Sequence, residues 1–378
     1  MILQVAINGD LEVNRMRNLK RLMFLAVIII TFTTLTIPGM DIKLIKKVKL
    51  SQDTTILEKV QDFCLTEDEL FLIPDSKAGN IKIYENNGKL VKTLGRSGLG
   101  PNEFLKPTYC FYNKKEEFQF GILDARIKKI FLYQRTGKLD FKRSKETLCL
   151  TGGYSLKKKG NVLLISGFKR APNGNAYDLY SIDLMRNQTS FLLPSHHKYG
   201  LKSFEEYDFQ YKQRPDISTI GISGWFDIQG TDVYFVWYGD LKIIKMNIDS
   251  GTLNFFGEKT PHYIKPSASK QMIEAYRAGD FKVVKNEKTK MSYVRNIFAS
   301  PKHVLLVYEG PTKKEGVSNV WVQFYTLAGK FLQELPVPCQ PESLFYFDKD
   351  KSMLYALGIE ADAELNEENI MLVYKVTE

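Results

Sequence analysis

Short runs of alternating hydrophobic and polar residues, separated by turn residues, recur along most of the chain. The stretch VQDFCLTEDELFLIPDSKAGNIKIYENNGKLVKTLG contains four of these runs, at residues 62–65, 70–74, 81–85 and 89–94. Asn87-Gly88 separates the last two runs. An Asn-Gly pair between alternating runs is a strong hairpin signal, because both residues tolerate positive φ. The pattern therefore predicts a four-stranded antiparallel unit.

This unit recurs until the chain contains six copies. Four later copies carry a pair of turn residues before their last strand, at Thr136-Gly137, Arg186-Asn187, Ser250-Gly251 and Ala328-Gly329. The sixth copy ends before a fourth strand. When the first strands are aligned, six residues fall in register: Asp62, Thr108, Gly153, Asp227, Asn296 and Ser343. The third and fourth intervals between them are much longer than the others and therefore contain insertions.

Six four-stranded units of this period predict a β-propeller, whose radial blades leave only short sheet edges. The alternating segment 41–51, DIKLIKKVKLS, would supply the missing strand of the sixth unit. The second insertion predicts a short helix, with Ser267 or Ser269 as N-cap and Gly279 just past its end. We predict an all-β fold, a six-bladed β-propeller closed by an N-terminal strand, with one short helical insertion. The alternative is a β-sandwich or two stacked β-domains.

The N-terminus has the pattern of an export signal. Three basic residues lie between Met16 and the apolar run 22–37. A basic segment followed by an apolar run of this length indicates a signal peptide or a membrane anchor. The polar stretch before Met16 does not fit this pattern, so we interpret Met16 as a candidate true start. The predicted domains are a signal peptide or anchor at residues 1–40 and a propeller at residues 41–378, in the periplasm or cell envelope. Anchoring in the inner membrane stays open.

The net charge of +10 on 378 residues is concentrated near the N-terminus. Of 53 Lys and Arg and 43 Asp and Glu, eight basic and three acidic residues lie within the first 50 positions, so the remainder has a net charge of +5. Such a balance is typical of a solvated surface and argues against a nucleic-acid partner. The 24 Phe and 20 Tyr favour strands, where aromatic rings pack well.

The four cysteines, Cys64, Cys110, Cys149 and Cys339, are widely separated. They form no CxxC motif and no Cys/His cluster, so a zinc site is not predicted. An oxidising compartment would allow one disulfide bond. The alternative role is that of small buried apolar residues within strands.

The stretch 95–107, GRSGLGPNEFLKP, connects the first predicted unit to the second. It closely resembles the inter-blade connections of NHL-type and TolB-like six-bladed propellers, including exported proteins and related lipoproteins of the Bacteroidetes. A Gly-x-x-Gly-x-Gly-Pro-x-Glu-Phe-x-x-Pro pattern is typical there. The resemblance spans about residues 60–376 and implies the same propeller fold. A nucleotide loop is not indicated, because no helix follows and no Gly-Lys-Ser/Thr ending is present.

Two residues of this stretch, Arg96 and Glu103, are candidates for a binding surface on the disc. The alternative is structural. Glu103 would then accept hydrogen bonds from the backbone of the turn, while Phe104 would fill the gap between two blades.

The first strands of a propeller line its central channel, so Asp62, Asp227 and Asn296 would stand near the channel mouth. Calcium takes six or more oxygen ligands, and these residues would supply three. Similar constellations support lactonase-type hydrolysis in other six-bladed propellers. However, no Glu or His in register completes an acid-base pair. The alternative is that these side chains bond to nearby backbone groups.

The first insertion contains the remaining binding candidates, namely His196, His197, Tyr199, Tyr207 and Tyr211. Adjacent histidines can bind a metal, but no third ligand stands close in sequence. The tyrosines and nearby basic residues would suit a protein or a glycan. The alternative is that they pack the insertion onto the edge of a blade.

We therefore expect an exported, non-catalytic propeller that recognises a protein, a peptide or a saccharide on one face of the disc. The alternative function is a calcium-dependent hydrolase, similar to a lactonase or an esterase, that uses the central channel. No cofactor is expected in the first case, and calcium is expected in the second. The sequence does not identify the ligand or the oligomeric state.

Overall fold

The computed structural model describes residues 39–51, 57–149, 155–173, 175–194, 224–266, 269–311, 319–340, 342–361 and 367–378. The chain divides into two compact units, residues 1–40 with Glu378 and residues 41–377. All strands and helices given below belong to the second unit. Among the described residues, no helix combines the length and the apolar character needed to cross a membrane.

The second unit contains six four-stranded antiparallel sheets, which we number as blades in chain order. Blade 1 consists of β2 (Cys64–Leu65), β3 (Phe71–Asp75), β4 (Asn80–Tyr84) and β5 (Leu90–Leu94). A short parallel pair, β6 (Arg96–Ser97) and β7 (Glu103–Phe104), follows it. Blade 2 consists of β8 (Pro107–Tyr112), β9 (Phe120–Asp124), β10 (Lys129–Arg135) and β11 (Phe141–Leu148). Blade 3 consists of β12 (Ser155–Lys159), β13 (Val162–Arg170), β14 (Ala176–Asp183) and β15 (Gln188–Pro194).

The remaining blades follow the same plan. Blade 4 consists of β16 (Gly224–Gln229), β17 (Asp232–Trp237), β18 (Ile243–Asn247) and β19 (Leu253–Phe256). Two helices, α1 (Lys270–Ala278) and α2 (Phe281–Lys288), precede blade 5. Blade 5 consists of β20 (Tyr293–Ala299), β21 (His303–Glu309), β22 (Val320–Thr326) and β23 (Phe331–Val337). Blade 6 consists of β24 (Leu344–Asp348), β25 (Met353–Ala361), β26 (Glu367–Thr377) and β1 (Asp41–Lys49).

The blades form a closed ring around a central channel. The first strand of each blade contacts the first strand of the next, and β24 of blade 6 contacts β2 of blade 1. The N-terminal strand β1 pairs antiparallel with β26, from Asp41 opposite Thr377 to Lys49 opposite Ile370. It is therefore the outer strand of blade 6. The prediction of a six-bladed propeller closed by an N-terminal strand is confirmed, and the β-sandwich alternative is wrong.

The insertion before blade 5 contains two helices where the sequence predicted one. At the start of α1, the Ser269 hydroxyl accepts a hydrogen bond from the backbone N–H of Met272 at 3.0 Å, and Gly279 follows the helix with φ +76°. The predicted boundaries are therefore confirmed. The second helix, α2, begins after Asp280, whose carboxylate accepts a bond from Val283 N–H at 3.1 Å. It was missed because its apolar residues form only a narrow stripe, which is buried by tertiary contacts.

Much of the core lies between neighbouring blades. The cluster between blades 1 and 2 includes Phe104, which is fully buried and whose ring centroid lies 5.6 Å from that of Phe131. Because each sheet contacts a different neighbour on each face, both faces of a strand are buried. This explains why every residue of β3 and β9 is buried, which alternation alone would not predict.

Two buried aspartates fix the crossovers that lead into blades 1 and 2. Asp75, at the end of β3, accepts hydrogen bonds from the backbone N–H groups of Glu58 and Lys59 at 2.9 and 3.2 Å. Asp124, at the end of β9, accepts equivalent bonds from residues 105–106 at 2.6 and 3.1 Å. A buried backbone donor needs a partner, so each aspartate replaces the partner that a regular strand would offer.

Candidate functional site

Two channel candidates bond to the inner strand of the following blade. The Asp62 carboxylate accepts a hydrogen bond from the backbone N–H of Cys110 in blade 2, at 3.0 Å. The Asp227 carboxylate accepts one from Ala299 N–H in blade 5, at 2.9 Å. Residues that fall in register in the repeat therefore make equivalent contacts, and those contacts hold neighbouring blades together.

Asn296 makes the same kind of contact with its amide group. Its Nδ2 donates to the carbonyl oxygen of Phe345 in blade 6 at 3.0 Å, and its Oδ1 accepts from Ile297 N–H at 2.9 Å. Both polar atoms of the Asn296 side chain therefore form hydrogen bonds with the backbone. All three channel candidates bond to backbone groups, as the structural alternative predicted, but each bonds to the following blade rather than only to the backbone close to it in sequence.

Lysines give the two channel carboxylates different electrostatic states. Lys349 Nζ lies 2.8 Å from Asp227 Oδ2. Burial by itself raises the pKa of Asp227, but Lys349 and Lys157 outweigh it, so that pKa is lowered. Burial raises the pKa of Asp62 to about 6, because Lys157 and two backbone N–H groups oppose it only in part. The positive charge of Lys157 thus acts on both Asp62 and Asp227 and opposes the effect of burial on the pKa of each.

These contacts explain the channel candidates without a bound ion. The Asp227 oxygen that a cation would need already contacts an ammonium group and a backbone N–H. Within the described part of the chain, no three His, Cys, Asp or Glu side chains lie close enough together to hold a metal. The arrangement fits a structural role in joining the blades better than it fits a calcium site.

The candidates of the first insertion are His196, His197, Tyr199, Tyr207 and Tyr211. All five lie outside the described residues. Their interpretation as part of a binding surface therefore stays a prediction.

The crossover candidates Arg96 and Glu103 contact each other. The Glu103 carboxylate accepts a bond from Arg96 Nε at 2.7 Å and another from Gly100 N–H at 2.7 Å. The Gly100 N–H and then Arg96 lower the pKa of Glu103, so it stays ionised. Phe104 fills the gap between blades 1 and 2. Glu103 therefore stabilises the turn, as the structural alternative predicted, whereas the Arg96 side chain is 83% exposed.

An open groove of about 1030 Å³ lies between this crossover and the rim of blade 2. One wall is the loop 99–103, and the other is the outer strand β11. Phe131 of β10 also lines the groove, and the Arg143 guanidinium stacks on its ring at 3.8 Å. Leu99 projects from the loop with 75% of its surface exposed. The groove thus combines an exposed apolar residue with charged walls.

The groove walls carry an excess of positive charge. The basic residues are Lys129, Lys142, Arg143 and Lys145, and the acidic residues are Glu103 and Glu146. Lys129 and Arg143 both pair with Glu146, and the hydrogen bond from Lys129 is 2.7 Å long. These bonds lower the pKa of Glu146. Each acidic group is therefore neutralised by a basic neighbour. Lys145 Nζ donates to the carbonyl oxygen of Leu184 in blade 3, so the positive charge that a ligand can reach is that of the exposed Lys142.

The strand β11 has one free edge within the described residues. It pairs with β10 on one side and stands last in the sheet of blade 2. An edge strand presents backbone donors and acceptors to which an extended chain can bind. In β11, this edge adjoins the basic groove.

One wall of the groove is predictable from the sequence, and the other is not. Arg96 and Glu103 stood out because of the glycine-rich motif. The residues of β11 gave only a weak signal, an alternating and mostly basic outer strand, KRSKE. Which outer strand faces the crossover depends on how blades 1 and 2 pack, and local sequence does not reveal that packing.

Comparison with known proteins agrees with the architecture. Residues 46–253 match the model of the family DUF5128, described as a 6-bladed beta-propeller. A solved structure from Bacteroides fragilis, whose description proposes export, aligns with a TM-score of 0.58 and 14% identity over 90% of this chain and 96% of that one. A member of the DUF4221 family from Bacteroides vulgatus aligns with a TM-score of 0.62 and 10% identity, over 90% and 99%. No curated protein matches the chain in sequence. At these identities, the structural likeness shows the fold alone.

Proposed function

The chain belongs to the DUF5128 family of six-bladed β-propellers. We propose that it is an exported, non-catalytic protein that binds an extended acidic peptide. The binding site is the groove between the crossover loop 99–103 and the strand β11. This narrows the broader expectation of a protein, peptide or saccharide ligand. Assignment to the NHL or TolB type stays a prediction.

The charge of the groove carries the proposal. Its two carboxylates are each bonded to a basic group, while Lys142 remains exposed on the same wall. An acidic ligand would meet uncompensated positive charge there, and complementary charge favours encounter and fixes orientation. The free edge of β11 would bond the peptide backbone, as in the recognition of extended peptides by strand addition.

The channel supports a non-catalytic role. Its candidate residues Asp62, Asp227 and Asn296 make bonds between blades rather than leaving a base or nucleophile in an open cleft. A catalytic site needs polar groups that are free to reach a substrate. The bonding of these residues therefore favours recognition over hydrolysis.

Export of the propeller is part of the proposal. The basic and apolar pattern of residues 16–37 supports it, and so does the proposed export of the similar protein from Bacteroides fragilis. The N-terminal segment would serve as a signal peptide or would hold the propeller at the inner membrane. A reporter fused after Gly39 that stays in the cytoplasm would contradict export.

The binding proposal is tested by titration. A fluorescently labelled oligoglutamate peptide is mixed with the protein, and its anisotropy is followed at low and at moderate salt. We expect saturable binding that weakens as salt increases, because exposed charges are screened. Lys142→Glu should reduce the affinity about tenfold, whereas Lys282→Glu, an exposed substitution on α2, should not change it.

Each other outcome contradicts a stated part of the proposal. Equal binding by the Lys142→Glu protein would exclude the groove as the site. Equally tight binding of an oligoglutamine peptide would exclude charge as the basis of recognition. Tighter binding of an oligogalacturonate than of the peptide would assign the groove to an acidic saccharide.

A further inference from the structure

Two cysteines of neighbouring blades meet at the inner strands. Cys64 of β2 stands opposite Leu72 of β3. The Cys110 sulfur of β8 lies 3.9 Å from the carbonyl oxygen of that same Leu72. The backbone N–H of Cys110 also bonds to Asp62, two residues before Cys64. Three contacts thus place the side chain of Cys110 beside the strand that carries Cys64.

Both cysteines are free thiols in the structure, and both are buried. Cys64 is 2% exposed and Cys110 is 3% exposed. Burial raises the pKa of Cys110 well above its ordinary value, and a hydrogen bond with the Cys64 thiol raises it further. By contrast, the Cys149 sulfur lies 3.0 Å from the hydroxyl of Tyr180.

We propose that Cys64 and Cys110 form a disulfide bond that links the inner strands of blades 1 and 2. The two thiols lose two protons and two electrons as one S–S bond forms. A disulfide of the cell envelope, in a small molecule or in an oxidoreductase, accepts both and is reduced to two thiols. The proposal rests on export in the cell, since disulfide bonds persist in oxidising compartments.

The burial of both sulfurs determines when this bond forms. Thiol-disulfide exchange needs an accessible thiolate, whereas the folded ring buries both sulfurs and raises the pKa of Cys110. Oxidation therefore takes place during folding, before blades 1 and 2 close on each other. Afterwards the same burial protects the disulfide from reduction.

The bond would stabilise the part of the ring that carries the groove. It closes a loop from residue 64 to residue 110, which includes the outer strands of blade 1 and the crossover loop 99–103. Such a bond restricts the unfolded chain and so favours the folded state. The inner strands would then be joined covalently, while Phe104 packs the two blades together nearer the rim.

Refolding of the full-length protein tests the bond without relying on export. The reduced, denatured chain is refolded with oxidised glutathione or with a reductant, and free thiols are blocked before peptide mapping by mass spectrometry. We expect a linked peptide pair containing Cys64 and Cys110 only after oxidative refolding. The oxidised protein should melt about 5 °C above the reduced one.

Variants of single cysteines make the assignment specific. Cys149→Ala should retain the linked peptide pair and the difference in melting temperature, and Cys110→Ala should lose both. Recovery of Cys64 and Cys110 as blocked thiols after oxidative refolding would overturn the proposal, as would a link to another cysteine. If the wild-type protein forms the Cys64–Cys110 bond in vitro but its cysteines are free in cells, the proposal of export is contradicted and the disulfide proposal is retained.

Discussion

The central channel and the rim groove both contain charged side chains, but those side chains have different partners. In the channel, Asp62 and Asp227 bond to backbone groups of the next blade. In the groove, the charged groups bond mainly to each other, and Lys142 is exposed to solvent. A charged residue that is bonded to the fold contributes to stability, and one that faces solvent can contribute to binding. We therefore expect loss of a bonded side chain in the channel to change stability and not peptide binding, and loss of the exposed lysine in the groove to change peptide binding and not stability.

The largest effect on stability is expected in the channel, from Asp227→Ala. This substitution leaves the N–H of Ala299 without its partner and leaves the ammonium group of Lys349 with only the carbonyl oxygen of Ile228. We expect the free energy of unfolding to fall by about 3 kcal/mol, measured by urea denaturation. Binding of the oligoglutamate peptide should be unchanged.

A second aspartate of blade 4 is the matched control. Asp232 pairs with Lys245 at 2.9 Å, and both side chains are about a quarter exposed. Exposed pairs contribute little, so Asp232→Ala should cost less than about 1 kcal/mol. If both substitutions lower the free energy of unfolding by a similar amount, or if the Asp227→Ala protein loses peptide binding, the channel and the groove do not have the separate roles that we assign to them.

A smaller loss of stability, accompanied by a loss of binding, is expected at the groove wall. Gly95 has φ +78°, and a Cβ atom there would lie 2.4 Å from the ring of Phe104 and 2.7 Å from the carbonyl oxygen of Asn102. Gly95→Ala should therefore cost about 2 kcal/mol and weaken peptide binding, because the loop 99–103 would move.

The control for backbone strain alone is Gly160→Ala. Gly160 has φ +56°, and its Cβ would meet open space. We expect it to cost about 1 kcal/mol and to leave peptide binding unchanged. If the two alanine variants bind the peptide equally well, the crossover loop is not a wall of the binding site.

A gain in stability, rather than a loss, is expected from Asp62→Asn. Burial raises the pKa of Asp62 from 3.8 to about 6. The folded state therefore favours the protonated form, so the contribution of Asp62 to stability is complete below pH 3.8 and is lost as the pH rises through 6. Asparagine stays neutral, so the variant should match the wild type near pH 3.8 and exceed it by about 2 kcal/mol at pH 7, because each pKa unit corresponds to about 1.4 kcal/mol. Denaturation at both pH values measures this difference, and a difference that does not grow with pH would refute the shifted pKa.

The sequence predicted the ring and its closure because each depends on local patterns. The alternating runs and the hairpin pairs defined the units, and the absence of a fourth strand in the last unit identified β1 as its partner. The first helix of the insertion was also predictable, since Ser269 and Gly279 are strong boundary residues. The second helix was not, because its narrow apolar stripe is buried by packing against α1 and against Met291, Tyr293 and Tyr238.

Contacts between blades were beyond local sequence reasoning. The sequence correctly placed Asp62, Asp227 and Asn296 at equivalent positions of their blades. The group to which each side chain bonds, however, depends on the adjacent blade. The same limit applies to Asp75 and Asp124. These aspartates occupy the same place in two units, in PDSKAGN and LDARIKK, yet the partners that they hold lie in the preceding crossovers. The position of a residue in the repeat thus shows which residues of other units are equivalent to it, but it does not show which groups its side chain bonds to.

Hydrogen-deuterium exchange in the presence of the oligoglutamate peptide shows whether the peptide binds in the groove or in the channel. An added strand would protect the backbone N–H groups at the free edge of β11. We expect slower exchange at residues 141–148 and 96–104, and no change in the inner strand β16. Protection of β16 or of other channel strands, with none at β11, would place binding in the channel and contradict peptide binding at the groove.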